Sequence, residues 1–345
     1  MFLRPLSALF GAIMAVRNWL FDAGLITARR VPVPVISVGN ISVGGTGKTP
    51  FVEFLASSLQ RENRRVAVIS RGYGRRTKGL VIVSDGKRVL TDAAAGGDEA
   101  VQIARRVKGI IVLVDERRAK AAELAVRDFA ATVVIADDAF QHRFLHRDLD
   151  IVMMTRDEVL TGDRLLPVGR RREPLSALRR ADVVVISACS SVKEFDAAHE
   201  TLRKVFDGPT LGFRLEFVRF RRLGGQGRTE GQKKKMGRMV AFSGIARPLS
   251  FRELVEGQGV TVVEHIQYKD HHWYSTGDLN RIAEIFRRTK ADAIVTTEKD
   301  GARLEGVESR TFVAEHPVYV AEVRPKVFAG NKMLETRLRE IFEGN

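Results

Sequence analysis

The sequence predicts an α/β protein, with a parallel sheet covered by helices on both faces and a smaller α/β unit behind it. Short apolar runs rich in β-branched residues recur at 33–38, 66–70, 110–114, 132–136, 150–154 and 183–187. Continuous apolar runs of this length suit strands buried on both faces. Helical-period segments separate most of them, as with Phe51, Phe54, Leu55 and Leu59. From about 215 to 237 the texture becomes charged and glycine-rich, "EFVRFRRLGGQGRTEGQKKKMGR", alternating in its first half. That is the composition of a ribbon or linker between domains. Beyond it, "RMVAFSGIARP" and "ADAIVTTEKD" each place a strand-like run before a polar turn and a helix, and "PVYVAEVRP" at 317–325 adds one more strand before a terminal helix. At 345 residues and 44% hydrophobic, the chain is long enough to fill two cores.

Taken in order, the first element is apolar. Residues 5–25, "PLSALFGAIMAVRNWLFDAGL", run apolar for a little over a dozen residues, break at Arg17 and Asn18, and resume with Trp19, Leu20 and Phe21. This is short for a membrane span, and only Arg4 precedes it, with no small-residue cleavage site behind. Two readings stand: a helix lying in a membrane interface, with Trp19, Arg17, Arg29 and Arg30 at the headgroup level, or a helix docked on the protein's own core. The formal charge of +15 predicts attraction to a polyanion, an anionic membrane or a phosphorylated substrate. The single cysteine, Cys189, excludes an internal disulfide framework and a cysteine-based zinc site, and reads as a small buried apolar residue. The Lys233-Lys234-Lys235 run reads as solvated linker.

The strand at 33–38 leads into "SVGGTGKTP", residues 42–50, and a helix beginning near Pro50. Gly47, Lys48 and Thr49 fit a phosphate-binding loop, in which backbone amides and a helix N-terminus surround the phosphates, the lysine reaches the β and γ oxygens, and the hydroxyl ligates Mg²⁺. Ser42 stands where that pattern opens with glycine, while Gly44 and Gly45 keep the loop interior free of side chains, and Thr46 joins Gly44, Gly45, Gly47, Lys48 and Thr49 as candidates for binding the nucleotide. A serine is tolerable there if the turn needs no positive φ. A phosphate loop also needs carboxylates on a neighbouring strand, and "TVVIADDAFQH" supplies Asp137 and Asp138 at a strand end, placed to hold or orient Mg²⁺. By itself "GGDEA", 96–100, reads as a helix start with Asp98 and Glu99 as first-turn acids. The histidines of "YKDHHWY", 268–274, are proton handlers by type only.

With these blocks in place, the chain resembles the tetraacyldisaccharide 4'-kinase family of the lipid A pathway in Gram-negative bacteria. The resemblance runs over almost the whole chain. It rests on the loop text at 31–50 (with Val31 for the leading leucine), "SRGYGR" at 70–75, "GDEA" at 97–100, "DDAFQH" at 137–142, "RDLDIV" at 147–152, "LLPVGRRREPLSALRRAD" at 165–182, "AFSGIARP" at 241–248, "DHH" at 270–272 and "TTEKD" at 296–300. The family pattern itself carries serine or threonine at the position of Ser42. The resemblance implies ATP- and Mg²⁺-dependent phosphorylation of the 4'-hydroxyl of a tetraacylated glucosamine disaccharide 1-phosphate, giving lipid IV-A at the cytoplasmic face of the inner membrane. It implies a Rossmann-like phosphate-loop core and a two-stranded linker to a smaller C-terminal α/β domain. The expected divisions are an N-terminal membrane-associated apolar helix at 1–28, the kinase core at 29–214, a β-ribbon linker at 215–237, the C-terminal domain at 238–316, and a returning strand with terminal helix at 317–345.

Carried over by position, the resemblance gives Lys48 and Thr49 to the phosphates and Mg²⁺, and Asp137 and Asp138 to the metal side. Asp98 becomes the acid that activates the sugar hydroxyl, assisted by His271, whose neighbour His272 fits the spelling equally well. Glu99, Gln141, Arg172 and Glu173 match polar residues around the site, and Arg71, with Arg75 and Arg76, is a further candidate for holding phosphate. The expected partners are the lipid disaccharide 1-phosphate and the inner-membrane surface, with no specific nucleic acid and no protein partner. Two stretches depart from the family text, "ISACSS" at 186–191 and Ala246-Arg247 in "GIARP". The competing class is a nucleotide-switching GTPase or partitioning ATPase, but the chain has no base-reading Asn-Lys-x-Asp and no second signature lysine early in the loop. A basic nucleic-acid binder fits the charge and has no recognised motif.

Overall fold

The structure is a computed structural model that describes residues 3–224, 237–270, 272–304 and 309–343. The chain forms two compact units, one of residues 1–214 and 325–345, the other of residues 215–324. His271 and the Lys233-Lys234-Lys235 run lie outside the described residues.

The first unit begins with helix α1 (Leu3–Asp22) and then alternates strands and helices: β1 (Val35–Asn40), α2 (Lys48–Arg61), β2 (Val66–Ser70), β3 (Val81–Asp85), the single turn α3 (Ala93–Gly96), α4 (Asp98–Arg106), β4 (Ile111–Val114), α5 (Arg118–Phe129), β5 (Val133–Asp137), β6 (Leu149–Thr155), α6 (Arg156–Leu160), β7 (Val183–Ser187), α7 (Val192–Leu202) and β8 (Thr210–Arg222). Strand order is β3-β4-β2-β5-β1-β6-β7-β8. All neighbours run parallel except β3 on β4. Every residue of β1, β2, β4, β5, β6 and β7 is buried, which is why these segments read as near-continuous apolar runs. One face is covered by Phe51, Leu55 and Leu59 of α2 and Val101 and Ile103 of α4. The other is covered partly by Ala121, Ala122 and Ala125 of α5 and partly by Phe195, Ala198 and Leu202 of α7. The edge strand β3 escaped the sequence reading because its residues are only partly buried and it pairs antiparallel, so it shows no continuous apolar run.

Helix α1 is built inside out. Its buried residue is Met14, Phe21 packs edge-on against Phe144, and two polar contacts fix the same side: Ser7 Oγ donates to the Leu165 carbonyl at 2.9 Å, and Asn18 Nδ2 donates to Glu173 at 2.9 Å. Arg143 caps the helix end through Asp22 at 2.6 Å and stacks on Phe21. Leu6, Leu9, Ile13 and Val16 fall on one stripe and face outward, Leu9 and Ile13 both 58% exposed, with Trp19 at 60%. No helix among the described residues is long and apolar enough to cross a membrane.

In the second unit, β9 (Arg238–Ser243), α8 (Pro248–Glu256), β10 (Thr261–Gln267), α9 (Thr276–Thr289), β11 (Ala293–Thr297), α10 (Glu298–Arg303), α11 (Arg310–Glu315) and β12 (Val318–Ala329) build a parallel sheet of order β10-β9-β11-β12. Phe242, Ile282, Ile294 and Val320 centre its core. Strands β8 and β12 each begin in one unit and end in the other. The chain closes with α12 (Asn331–Glu343), whose Leu334 and Leu338 return to the core of the first unit.

Candidate active site

Register brings the chemistry to one end of the first unit's sheet. Val38 of β1 pairs with Asp137 of β5, and Asn40 with Met153 of β6, so the turn after β1 and the carboxylates after β5 leave the same edge side by side. Ligands in open parallel sheets bind beyond the carboxyl ends of strands. The loop's positive-φ residues are Gly44 (φ 132°) and Gly47 (φ 85°). Gly47 is the N-cap of α2, so the amides opening that 14-residue helix face the loop. Ser42 is absent from the positive-φ residues, which removes the steric reason for glycine at its position. A Cβ at Gly44 would meet no atom within 4 Å, so the backbone there is open to an approaching group. Gly44 and Gly45 are exposed, whereas Thr46 and Thr49 are buried.

Asp138 is the centre of the charge arrangement. It sits at φ 48°, a left-handed conformation that Asp tolerates better than most residues. Lys48 Nζ lies 3.5 Å from its carboxylate. Arg172 Nη1 donates to both oxygens at 3.0 and 3.1 Å, and Arg118 Nη2 donates to its carbonyl at 3.1 Å. Burial works to raise the Asp138 pKa, but the charges of Lys48, Arg172 and Arg118 outweigh it and hold the carboxyl below its usual range. Asp137 behaves oppositely. Burial, then the charges of Glu99 and Asp138, push it up to about 7. Its Oδ1 is buried with no hydrogen-bond partner, an acceptor oriented for a hard cation, and the buried Thr49 side chain stands at the start of α2, where the loop needs a hydroxyl. The donor set therefore fits Mg²⁺.

The other expected residues have the following places. Gln141 Nε2 donates to the Asn40 carbonyl at 2.8 Å, tying the Asp-Asp turn to the end of β1. Asp98 opens α4 and accepts from the Glu99 amide at 3.0 Å. The Gly97 turn before it packs on the "SRGYGR" loop, where an added Cβ would meet the Gly72 backbone at 3.1 Å. Arg71 stands close enough for its charge to act on Arg118 and His142. Glu173 is placed differently: it is fully buried and its Oε2 accepts from Arg180 at 2.8 Å and Asn18 at 2.9 Å, which latches α1 to the strap that carries Arg172. In the second unit, His272 Nε2 lies 3.1 Å from Asp278 and stacks on Tyr268. The buried Asp300 accepts from Thr297 at 2.6 Å and from the Gly244 amide at 3.1 Å, which brings the "SGIARP" and "TTEKD" text together.

Sequence reasoning missed Arg118, His142, Ser187 and Asn40. Arg118 is 24 positions from His142, whose Nδ1 it contacts at 3.2 Å. Burial, and then Arg118, lower the His142 pKa to about 4, so this ring is a neutral acceptor for the guanidinium. Ser187, in the departing "ISACSS" text, donates to the Thr46 carbonyl at 2.8 Å and braces the loop. Asn40 reaches the Thr46 hydroxyl at 3.4 Å. Only the asparagine was visible beside the loop text. Cys189 is buried, as its type suggested, and burial raises its thiol to about 11.

The family model for tetraacyldisaccharide-1-P 4'-kinase matches residues 1–343. The tetraacyldisaccharide 4'-kinase of Chlorobaculum parvum is 37% identical over 345 residues, covering 99% of this chain and 94% of the relative. That of Geobacter sulfurreducens is 38% identical over 327 residues, covering 92% and 88%. Among solved structures, LpxK from Aquifex aeolicus in complex with ATP aligns with a TM-score of 0.77 at 34% identity, over 99% of this chain and 98% of that one. A phosphate loop facing paired aspartates, matched along its full length in this way, belongs to a chain that is a member of the tetraacyldisaccharide 4'-kinase family.

Proposed function

We infer that the chain transfers the γ-phosphoryl group of ATP to the 4'-hydroxyl of a tetraacyldisaccharide 1-phosphate, a step of lipid A biosynthesis. The observation that carries this reading is the Lys48–Asp138–Arg172 cluster at the mouth of the loop, in a chain whose full length matches the family. The switch-protein alternative is not favoured, since its relatives by name are acceptor kinases.

In the proposed mechanism the amides of Gly44, Gly45, Thr46 and Gly47 and the ammonium of Lys48 hold the phosphate oxygens, while Thr49 and Asp137, with Asp138 beside them, would hold Mg²⁺. The metal supplies charge neutralisation on the β and γ oxygens when bound. Asp138 aims Lys48 and Arg172 at the transferring group, and their fixed positive charge favours the transition state, where charge spreads over the equatorial oxygens. Asp98 accepts the proton of the attacking hydroxyl, with His271 its assistant, and Glu99, Gln141 and Arg71 shape the acceptor side, while Glu173 holds the strap that carries Arg172. The outward apolar stripe of α1 supports a peripheral position on the cytoplasmic face of the inner membrane, where an acceptor with four acyl chains resides. Replacing Asp98 tests the acid–base role. Asp98→Ala should lower turnover by about 10²–10⁴ with ATP affinity retained, and near-normal turnover rejects the role.

A further inference from the structure

We propose that Glu53, in the second turn of α2, is a positioning residue that sets the Asp98 carboxyl at its distance from the phosphate loop. Glu53 is 4% exposed. Its Oε1 accepts from Gln102 Nε2 and its Oε2 from Arg106 Nη1, both at 2.9 Å, so one carboxylate grips two residues of α4. Spacing gives these bonds their reach. Side chains four residues apart on a helix lie one above the other on the same face. Glu53 follows Thr49 by four on α2, while Gln102 and Arg106 follow Asp98 by four and eight on α4. The face that carries the loop's hydroxyl is thereby joined, one turn down, to the face that carries the acid. The start of α4 belongs to the site itself, because the charge of Glu99 acts on Asp137.

The two helices also share the core, through Phe51, Leu55 and Leu59 on α2 and Val101 and Ile103 on α4. Apolar burial is non-directional and opposes sliding along a helix axis only weakly. Hydrogen bonds have a fixed length and direction, and so fix the register. Stability does not account for a carboxylate here, since a buried ion pair can often be replaced by apolar residues without loss. Register does account for it. A misplacement of about 1 Å at the reacting groups can lower a rate by about 10²-fold. Asp98 takes the acceptor's proton in the proposed function, on which this role of Glu53 rests. A second bond between these segments lies about three turns further along α2, where Gln60 Nε2 donates to the Lys108 carbonyl at 3.2 Å. It supplies a control away from the site.

The test measures phosphoryl transfer to a tetraacyldisaccharide 1-phosphate in the full chain, in Glu53→Met, in Asp98→Ala and in the double variant, with sites counted by ATP binding. Glu53→Met should lower kcat per site by about ten-fold or more, with ATP affinity unchanged. In the Asp98→Ala background the same change should lower kcat by less than about two-fold, because no carboxyl remains to be placed. A merely structural role would cost the same factor in both backgrounds, and that result overturns the proposal, as does parental kcat in Glu53→Met. Gln60→Ala should keep parental kcat; a loss equal to that of Glu53→Met overturns the proposal, since any tie between these helices would then suffice. If Glu53→Met does not fold, Gln102→Met, which leaves the Arg106 pair in place, should show a smaller loss with the same dependence on Asp98, and a loss independent of Asp98 overturns the proposal. Crystals of whichever variant folds should show the Asp98 carboxyl moved by about 1 Å relative to Thr49, and an unmoved carboxyl overturns the proposal. Should the parent fail to phosphorylate the lipid, the proposed function falls, while the crystal comparison still decides the role of Glu53.

Discussion

Replacing Asp138 separates electrostatics from backbone conformation at the centre of the site. In Asp138→Asn the residue keeps a side chain suited to φ 48°, so the turn persists and only the charge is lost. Of the two Arg172 hydrogen bonds at 3.0 and 3.1 Å one is lost, because the amide nitrogen cannot accept, and the other, with the Lys48 contact at 3.5 Å, loses its ionic character. Hydrogen bonds to charged groups contribute about 1.5–3 kcal/mol and neutral ones about 1 kcal/mol. The expected loss of stability is about 1–2 kcal/mol on that basis, read by denaturant titration. Asp138→Ala adds left-handed strain of about 1–2 kcal/mol and should fall further. Turnover with saturating ATP and acceptor should drop by about 10²-fold or more in both variants, because Lys48 and Arg172 are no longer aimed. An Asn variant with parental turnover would refute the reasoning. An Ala variant as stable as Asn would refute the conformational part of it.

Three further outcomes follow from the geometry. Because the Asp137 carboxyl is raised from 3.8 to about 7 by burial and by Glu99, the folded state binds its proton more tightly than the unfolded chain; metal-free protein should lose stability as pH rises from about 4 to 7. Asp137→Asn should flatten that slope and Mg²⁺ should oppose it, whereas melting curves in chelator with the same slope for both chains would contradict the assignment. Leu9→Glu with Ile13→Glu, both on the outward stripe of α1, should release protein from vesicles with a melting temperature within a few degrees of the parent, checked by co-sedimentation. Glu173→Gln should destabilise the fold by about 1–2 kcal/mol, since the half-buried Arg180 exchanges a charged partner for a neutral one; a stable variant with an altered acceptor KM would instead put Glu173 on the substrate side.

The phosphate loop and the strand-end aspartates were legible because both are local: each is one strand followed by its own turn, and the spacing within a single segment carries the chemistry. The central strands were legible for a related reason, since burial on both faces selects apolar side chains at most positions, with Ser37 and Asp150 as buried exceptions. Arg118 was not legible, because its partners Asp138 and His142 lie in another crossover and only the order of strands brings them together. Ser187 was hidden in the same way, 141 positions from the Thr46 carbonyl it braces. For α1, composition showed an apolar segment but not which side faces the protein; the polar latch of Ser7 and Asn18 and the outward leucines decide that. Glu173 shows the reverse limit. The resemblance set it near the acceptor, and its side chain is engaged with Arg180 and Asn18.

The most direct measurement of the central claim supplies γ-labelled ATP, Mg²⁺ and a tetraacyldisaccharide 1-phosphate in mixed micelles and follows the label. Label should accumulate in the lipid fraction at the 4' position, and Lys48→Ala should abolish that transfer. Label recovered only as free inorganic phosphate, at a rate indifferent to the lipid, would contradict the account.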